Sequence, residues 1–252
     1  MIIEDRIPGS NTSKRLPIVF CLDVSPSMGW KEGHNSSSIE LLNAAVSNFI
    51  KELKKDPKAR TAAEVSFVAF STNIEMDTEF ESISSLNAPT FAPVTRGGTQ
   101  MAAAVLRSIQ KIENRRRQLE NSEIGYYAPF LVIVTDGNPD QNDNREQHNQ
   151  ALSLVRSHCD SHIGASEIIV PFIIGVGDRI DSKTLNSYSA GFTKGYFPIR
   201  GTAQKAAVQF NKVFQMIGNS TRKSIHLNGA AKEVIQTIQN DMNDLLADLA
   251  GE

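Results

Sequence analysis

Pro17-Ile18-Val19-Phe20-Cys21-Leu22-Asp23 runs directly into Val24-Ser25-Pro26-Ser27-Met28-Gly29. The first stretch is a continuous apolar run closed by an acid and turn residues. Such a run predicts a short strand buried on both faces, the pattern of a parallel sheet rather than of a half-exposed antiparallel one. Cys21 sits inside the run and reads as a small buried hydrophobe, not as half of a disulfide framework, because the only other cysteine is Cys159.

Working outward, the pattern changes period. Ser37 and Glu40 have capping-box spacing. Leu41, Leu42, Ala45, Val46, Phe49, Ile50 and Leu53 then recur at helical spacing, with a stop at Pro57. Val65–Phe70 predicts a second strand, and Ile74 to Phe80 an edge strand joined to it by a turn at Ser71 to Asn73. Residues 82–96 are irregular, with Pro89 and Pro93, before an Ala-rich helix over Thr99 to Ile112. Phe130–Thr135 is a third buried strand, and Ala151 to Val155 continues a helix. Ile168 to Ile174 is a fourth strand, whose Pro171 suggests a place near a sheet edge or a bulge. Asp181 caps a helix through Tyr188, Tyr196 to Ile199 is a last short strand, and Ala206, Phe210, Val213, Phe214 and Ile217 mark a final helix. Strands alternating with helices predict a three-layer, Rossmann-like α/β fold. Its central sheet is mainly parallel, with one antiparallel edge strand and helices on both faces.

Composition narrows the function. The chain has 252 residues and is 40% hydrophobic, enough for one α/β domain with an extension. We divide it into a polar N-terminal extension (1–15), the α/β domain (16–219) and a C-terminal tail (220–252). A net charge of −2 gives no general basic field, so no nucleic-acid partner is expected. No apolar run is long enough to span a bilayer, and Met1 to Lys14 lacks a signal-peptide core, so a soluble cytoplasmic protein with no membrane partner is expected.

In open α/β sheets, ligands bind beyond the carboxyl ends of the strands. After the first strand comes Asp23-Val24-Ser25-Pro26-Ser27; after the strand at Phe130 comes Thr135-Asp136-Gly137; between them, Arg96-Gly97-Gly98-Thr99 opens a helix. Asp23, Ser25, Ser27, Thr99 and Asp136 are therefore expected to meet on one edge. Two carboxylates and three hydroxyls are hard oxygen donors, suited to Mg²⁺ or Mn²⁺ with water completing the shell. Such a set leaves a water-filled position that an acidic group from a protein partner can take.

These residues resemble the metal-ion-dependent adhesion site of von Willebrand factor A domains, whose motif is D-x-S-x-S followed by a distant Thr and a distant Asp. The resemblance spans roughly Leu16 to Gly218. It implies that Ser25, Ser27 and often Thr99 touch the metal, that the two aspartates often act through water, and that the module binds protein. R-G-G-T, T-D-G-N-P-D (Thr135 to Asp140) and I-G-V-G-D (Ile174 to Asp178) look closest to the bacterial TerY-like branch, linked to tellurite resistance and stress. That branch implies a scaffold associating with kinase and phosphatase proteins.

Other features have plainer readings. Gly175-Val176-Gly177-Asp178 lacks a third glycine, where Ile180 stands, and reads as a turn. His158, Cys159 and His162 have no second ligand cluster and read as a solvated helix end. Lys111, Arg115, Arg116 and Arg117 read as a solvated basic helix end, with an acidic partner as the alternative. Trp30, the only tryptophan, either packs under its own loop or rims a binding face. An alternative function is a Mg²⁺-dependent phosphatase or phosphotransferase. A haloacid dehalogenase-like enzyme would need a second carboxylate where Ser25 stands, and neither a nucleophile–base pair nor a Walker A element is present, so no enzyme is expected. In the tail, Gly229 precedes Ile235, Ile238, Met242, Leu245 and Leu249 at alternating spacings of three and four, with Asp241, Asp244 and Asp248 off that seam. A helix with a buried stripe is expected, packed either on its own domain or on a partner.

Overall fold

A computed structural model of the chain describes residues 13–31, 36–137, 145–160, 167–178, 180–227 and 230–251. Its first half runs β1 (Leu16–Asp23), α1 (Ser38–Lys55), α2 (Pro57–Ala62), β2 (Ala63–Phe70), β3 (Ile74–Asp77), β4 (Glu81–Ser82) and α3 (Met101–Asn121). The second half runs β5 (Phe130–Thr135), α4 (Arg145–Cys159), β6 (Val170–Val176), α5 (Ser182–Tyr188), β7 (Phe197–Ile199), α6 (Ala203–His226) and α7 (Ala231–Gly251).

The strands form one sheet in the order β3-β2-β1-β5-β6-β7, with β4 also on β2. β1, β2, β5, β6 and β7 are parallel, and β3 and β4 run antiparallel to β2. The α/β fold with helices on both faces is therefore as the sequence predicts. The expected edge strand Ile74 to Phe80 is broken. The Thr78 hydroxyl accepts from Phe67 N–H at 2.9 Å, occupying a ladder donor, and pairing resumes only at Glu81.

The period of two along each strand sorts side chains between two cores. Ile18, Phe20 and Leu22 of β1 face α1, α2, α6 and α7. Val19 and Cys21 face α3, α4 and α5. On the first face Phe20 meets Phe49 edge-on at 5.3 Å and stacks with Phe67 at 5.6 Å and Phe214 at 6.0 Å. That cluster ties the sheet to α1 and α6, and truncating such a buried ring typically costs about 3–5 kcal/mol. Pro171 does lie near the sheet edge, because β6 is next to the edge strand β7. β7 reaches only Ile174–Val176, so the Pro171 stretch has a strand on one side alone.

The expected solvated basic helix end is also corrected. Arg115 holds Glu64 in a two-pronged contact (2.8 and 2.7 Å), and Arg15 joins the same carboxylate at 3.1 Å. Arg116 is buried and donates to the carbonyls of Glu167 and Ile168. Lys111, only 5% exposed, pairs with Asp77 at 2.6 Å. Only Arg117 of the group is exposed. Each of the other three has a partner from another segment: the buried Glu64 for Arg115, Asp77 for Lys111, and the Glu167 and Ile168 carbonyls for Arg116.

The tail forms α7, which packs on its own domain against α6 and β7. Ile238, Met242 and Leu249 of the expected seam are buried, Ile235 and Leu245 are partly buried, and Val234 joins them. Lys223 pairs with Asp241, and Gln239 donates to the Phe192 carbonyl at 2.5 Å. Helix α6 continues through residues 219 and 220, so the division drawn there falls inside a helix. Gly229 and most of the 1–15 extension lie outside the described residues.

Candidate metal centre

Four of the five sequence-derived residues are joined by hydrogen bonds beyond the strand ends. Asp23 closes β1 and is fully buried; its Oδ1 accepts from Ser25 N–H at 2.8 Å. The Ser25 and Ser27 hydroxyls lie 3.1 Å apart. Ser27 Oγ donates to Asp136 Oδ1 at 2.9 Å, which brings the segment after β5 to the segment after β1. Pro26 starts a single 3-10 turn, Pro26–Gly29, that swings Ser27 toward Asp136. Thr99 is buried just ahead of α3 and packs on the far side of Gly137, where an added Cβ would come within 3.1 Å of its hydroxyl.

Several supports were not anticipated. Thr135 Oγ1 donates to Asp23 Oδ2 at 2.6 Å, so the second carboxylate oxygen also has a protein donor. Its signal was the Thr preceding the D-G pair. Gly97 has φ +150°, and a Cβ there would lie 2.9 Å from Thr72 Oγ1, the atom that accepts from Gly98 N–H at 2.6 Å. The glycine pair thus lets the Thr99 backbone seat against the end of β2. Asn43 clamps the irregular stretch by exchanging hydrogen bonds of 2.8 Å with the Phe91 backbone in both directions. No helical or strand period reveals such a clamp.

Burial pushes the Asp23 carboxyl above its ordinary value, and hydrogen bonds from Ser25, Thr135 and the Asp136 backbone only partly offset this. A buried acid whose neighbours are hydroxyls is suited to a cation. The donors are all oxygen, two of them carboxylates, and they fit a hard divalent ion such as Mg²⁺ or Mn²⁺. Among the described residues no cluster of three or more His, Cys, Asp or Glu gathers elsewhere or here, so any ion at this edge relies on the hydroxyls.

Ser27 and Asp136 also line a recess of about 110 Å³, with Trp30, Leu41, Ile199 and Arg200 among its other walls. Trp30 is 54% exposed and so rims the face rather than packing beneath its loop. Of the remaining candidates, Gly177 and Asp178 share the recess with Ser27 and Asp136. Cys159 is buried, His158 lies 3.9 Å from Glu113, and His162 is outside the described residues, as are residues 138–140 of the T-D-G-N-P-D segment. Burial pushes the Cys21 thiol up to about 12. Gly177, at φ +92°, turns the chain after β6 and donates to the Ile199 carbonyl.

A mainly parallel, doubly wound sheet with helices on both faces defines a three-layer class of α/β domain. The chain belongs to the von Willebrand factor type A domain family, whose profile matches residues 18–209. Among solved structures it is similar to the PilB minor pilin from Streptococcus sanguinis, at 14% identity and TM-score 0.54 over 90% of this chain and 65% of that one. It is also similar to the pilus adhesin SpaC from Lactobacillus rhamnosus GG, at 12% identity and TM-score 0.54 over 84% of this chain and 31% of that one. The chain thus spans less than two thirds of either protein, and at these identities the likeness is one of fold. A comparison with curated proteins returns no match. No helix among the described residues is long and apolar enough to cross a membrane.

Proposed function

We propose that this domain is a divalent-cation-dependent protein-interaction module whose metal-ion-dependent adhesion site is formed by Asp23, Ser25, Ser27, Thr99 and Asp136. The observation that carries this reading is the chain of contacts from Asp23 through Ser25 and Ser27 to Asp136, at 2.8, 3.1 and 2.9 Å. The first contact is a backbone N–H on Asp23 Oδ1, and the other two bring the Ser25 and Ser27 hydroxyls and the Asp136 carboxylate within reach of one hard cation. Bound there, Mg²⁺ or Mn²⁺ supplies a position that an anionic oxygen, an Asp or Glu of a partner, can complete. Ser25, Ser27 and Thr99 would supply hydroxyl oxygens to it, Asp23 and Asp136 would supply negative charge, and Trp30 would offer an exposed apolar contact beside it.

The contacts around the cluster come from hydroxyls, carboxylates and backbone N–H groups, which suits holding a ligand better than activating a nucleophile. We therefore place the protein among scaffolds or adaptors rather than enzymes. Kinase and phosphatase proteins of a TerY-like stress complex are the first partners to test. Calorimetry is expected to give one Mg²⁺ or Mn²⁺ per chain, with binding abolished in Asp23→Ala. Capture of partners by the immobilised chain is expected to fail in EDTA and to return with Mg²⁺. Equal ion binding by wild type and variant overturns the site, and partner capture unchanged in chelator overturns the metal-bridged interface.

A further inference from the structure

Next to the recess at the metal edge, with which it shares Arg200, α7 roofs a second cavity. It has a volume of about 590 Å³ and lies between α7, β7, the start of α6 and the segment after α5. That volume is in the range of sites for small organic ligands. Three of its lining residues are cationic, Lys194, Arg200 and Lys205, and none is acidic. This is a local reversal in a chain whose net charge is −2. The acids of α7 point elsewhere: Asp241 pairs with Lys223, and Asp244 and Asp248 are exposed and outside the lining.

The cations are held in place by the elements that form the walls. Arg200 N–H donates to the Oε1 of Gln209, itself only 2% exposed, at 2.8 Å. The Arg200 guanidinium donates to Tyr196 Oη at 2.6 Å, and that hydroxyl is 2.9 Å from Ser182 Oγ. Lys194 N–H donates to Asn243 Oδ1 of α7 at 3.0 Å, so the roof itself fixes the backbone that carries Lys194. Pro198, Leu246, Ala247 and Leu249 add apolar surface to the lining.

We propose that this cleft binds a small amphipathic anion, a phosphorylated or similarly dianionic organic molecule. Its charged group would lie among Lys194, Arg200 and Lys205 and its flat apolar body against α7. Charge complementarity sets the sign of the ligand, because a cleft holding three cations and no acid attracts anions. The guanidinium and ammonium groups suit phosphate oxygens. The apolar surface sets the body, since burying it adds affinity that a bare anion cannot gain. The cleft borders the recess at the metal edge, whose lining Arg200 also joins, but its own lining contains none of the five candidate ligands.

The test uses the full chain in EDTA, so that no phosphate is drawn to a divalent ion. Phenyl phosphate, inorganic phosphate and benzyl alcohol are the probes, read by calorimetry and by amide NMR shifts. Phenyl phosphate is expected to bind one per chain, at least about tenfold more tightly than either other probe, and to shift Lys194, Gly195 and Ala247. Lys194→Glu is expected to weaken it at least about tenfold, the scale of losing a charge-assisted hydrogen bond. Ala247→Trp, which fills the cleft from an exposed position of α7, is expected to abolish binding. Both variants should keep the wild-type far-UV spectrum and a cooperative melt. Binding of phenyl phosphate that is absent, unchanged in both variants, or matched by benzyl alcohol or inorganic phosphate overturns the proposal.

Discussion

Thr135 donates its hydroxyl hydrogen to Asp23 Oδ2 at 2.6 Å across 112 residues of sequence. The bond joins the ends of β1 and β5 and fixes the carboxylate on which the proposed ion site depends. Outer-shell partners of metal ligands typically matter 10- to 100-fold in affinity. Thr135→Val is therefore expected to weaken Mg²⁺ binding by about that factor, whereas Thr135→Ser stays near wild type. Calorimetry on the two variants checks this, and equal affinities would show that Asp23 needs no second donor.

Asp23 itself separates folding from binding. Its buried carboxylate is a burden on the metal-free fold, because a charge without a counter-ion is disfavoured there. Asp23→Asn keeps the shape and removes the charge. The metal-free variant is expected to melt at or above metal-free wild type, and millimolar Mg²⁺ should raise only the wild-type melt. A variant that melts well below wild type without metal would mean that the carboxylate is needed for structure.

Asp77 governs acid stability at the β3 edge. Burial works to raise its carboxyl, but the Lys111 ammonium and the Arg107 guanidinium outweigh this and hold it below the usual range. A depressed carboxyl contributes stability that is complete above its unfolded value, about 3.9, and is lost as the pH falls through the lower folded value. Asp77→Asn leaves the buried Lys111 without its 2.6 Å partner. It is expected to lower stability by about 2 kcal/mol at pH 7 in urea unfolding. Below about pH 4 the gap to wild type should close; a gap independent of pH would contradict the ion pair.

Trp30 is the sole tryptophan and is 54% exposed beside Ser27 and Asp136 in the recess. Trp30→Ala is expected to change stability by less than about 0.5 kcal/mol and leave ion affinity unaltered. Affinity for a captured partner should fall at least about tenfold, as for an aromatic interface anchor. In the wild type the same residue reports binding directly through its emission.

Truncation after Leu227 removes α7 and the cover it gives β7. The buried contacts that Val234, Ile238, Met242 and Leu249 make with the domain are removed with it. Losing even part of that apolar contact should lower the melting temperature by at least about 4 °C. The number of copies per particle in light scattering should not change, and ion affinity should be kept, because the five candidate ligands precede the cut. An unchanged melt would mean that the helix rests on the domain without stabilising it.

The fold was largely legible because it is written in local period. Continuous apolar runs such as Phe130–Thr135 and the helical stripe of α1 each mean one thing wherever they occur. The five candidate ligands were legible because open α/β sheets present ligands at strand ends, and short polar motifs stand there. What sequence reading missed depends on contacts between distant segments. Arg115 looked solvated because its acid, Glu64, lies on another element. The Thr78 hydroxyl that interrupts the edge strand has no periodic signature. Neither does Asn43 gripping the Phe91 backbone, nor the side of α7 on which a surface awaited.

The clasp of Arg15 and Arg115 on Glu64 sits at the starting ends of the strands, and Asp23 and Asp136 at their finishing ends. Work is thereby divided along the strand axis. Residues at the base keep the frame assembled, while the connections at the summit are free to change without loosening it. A lineage carrying this frame can therefore exchange one partner for another by rewriting the summit alone, and an engineer grafting new loops there inherits the same freedom.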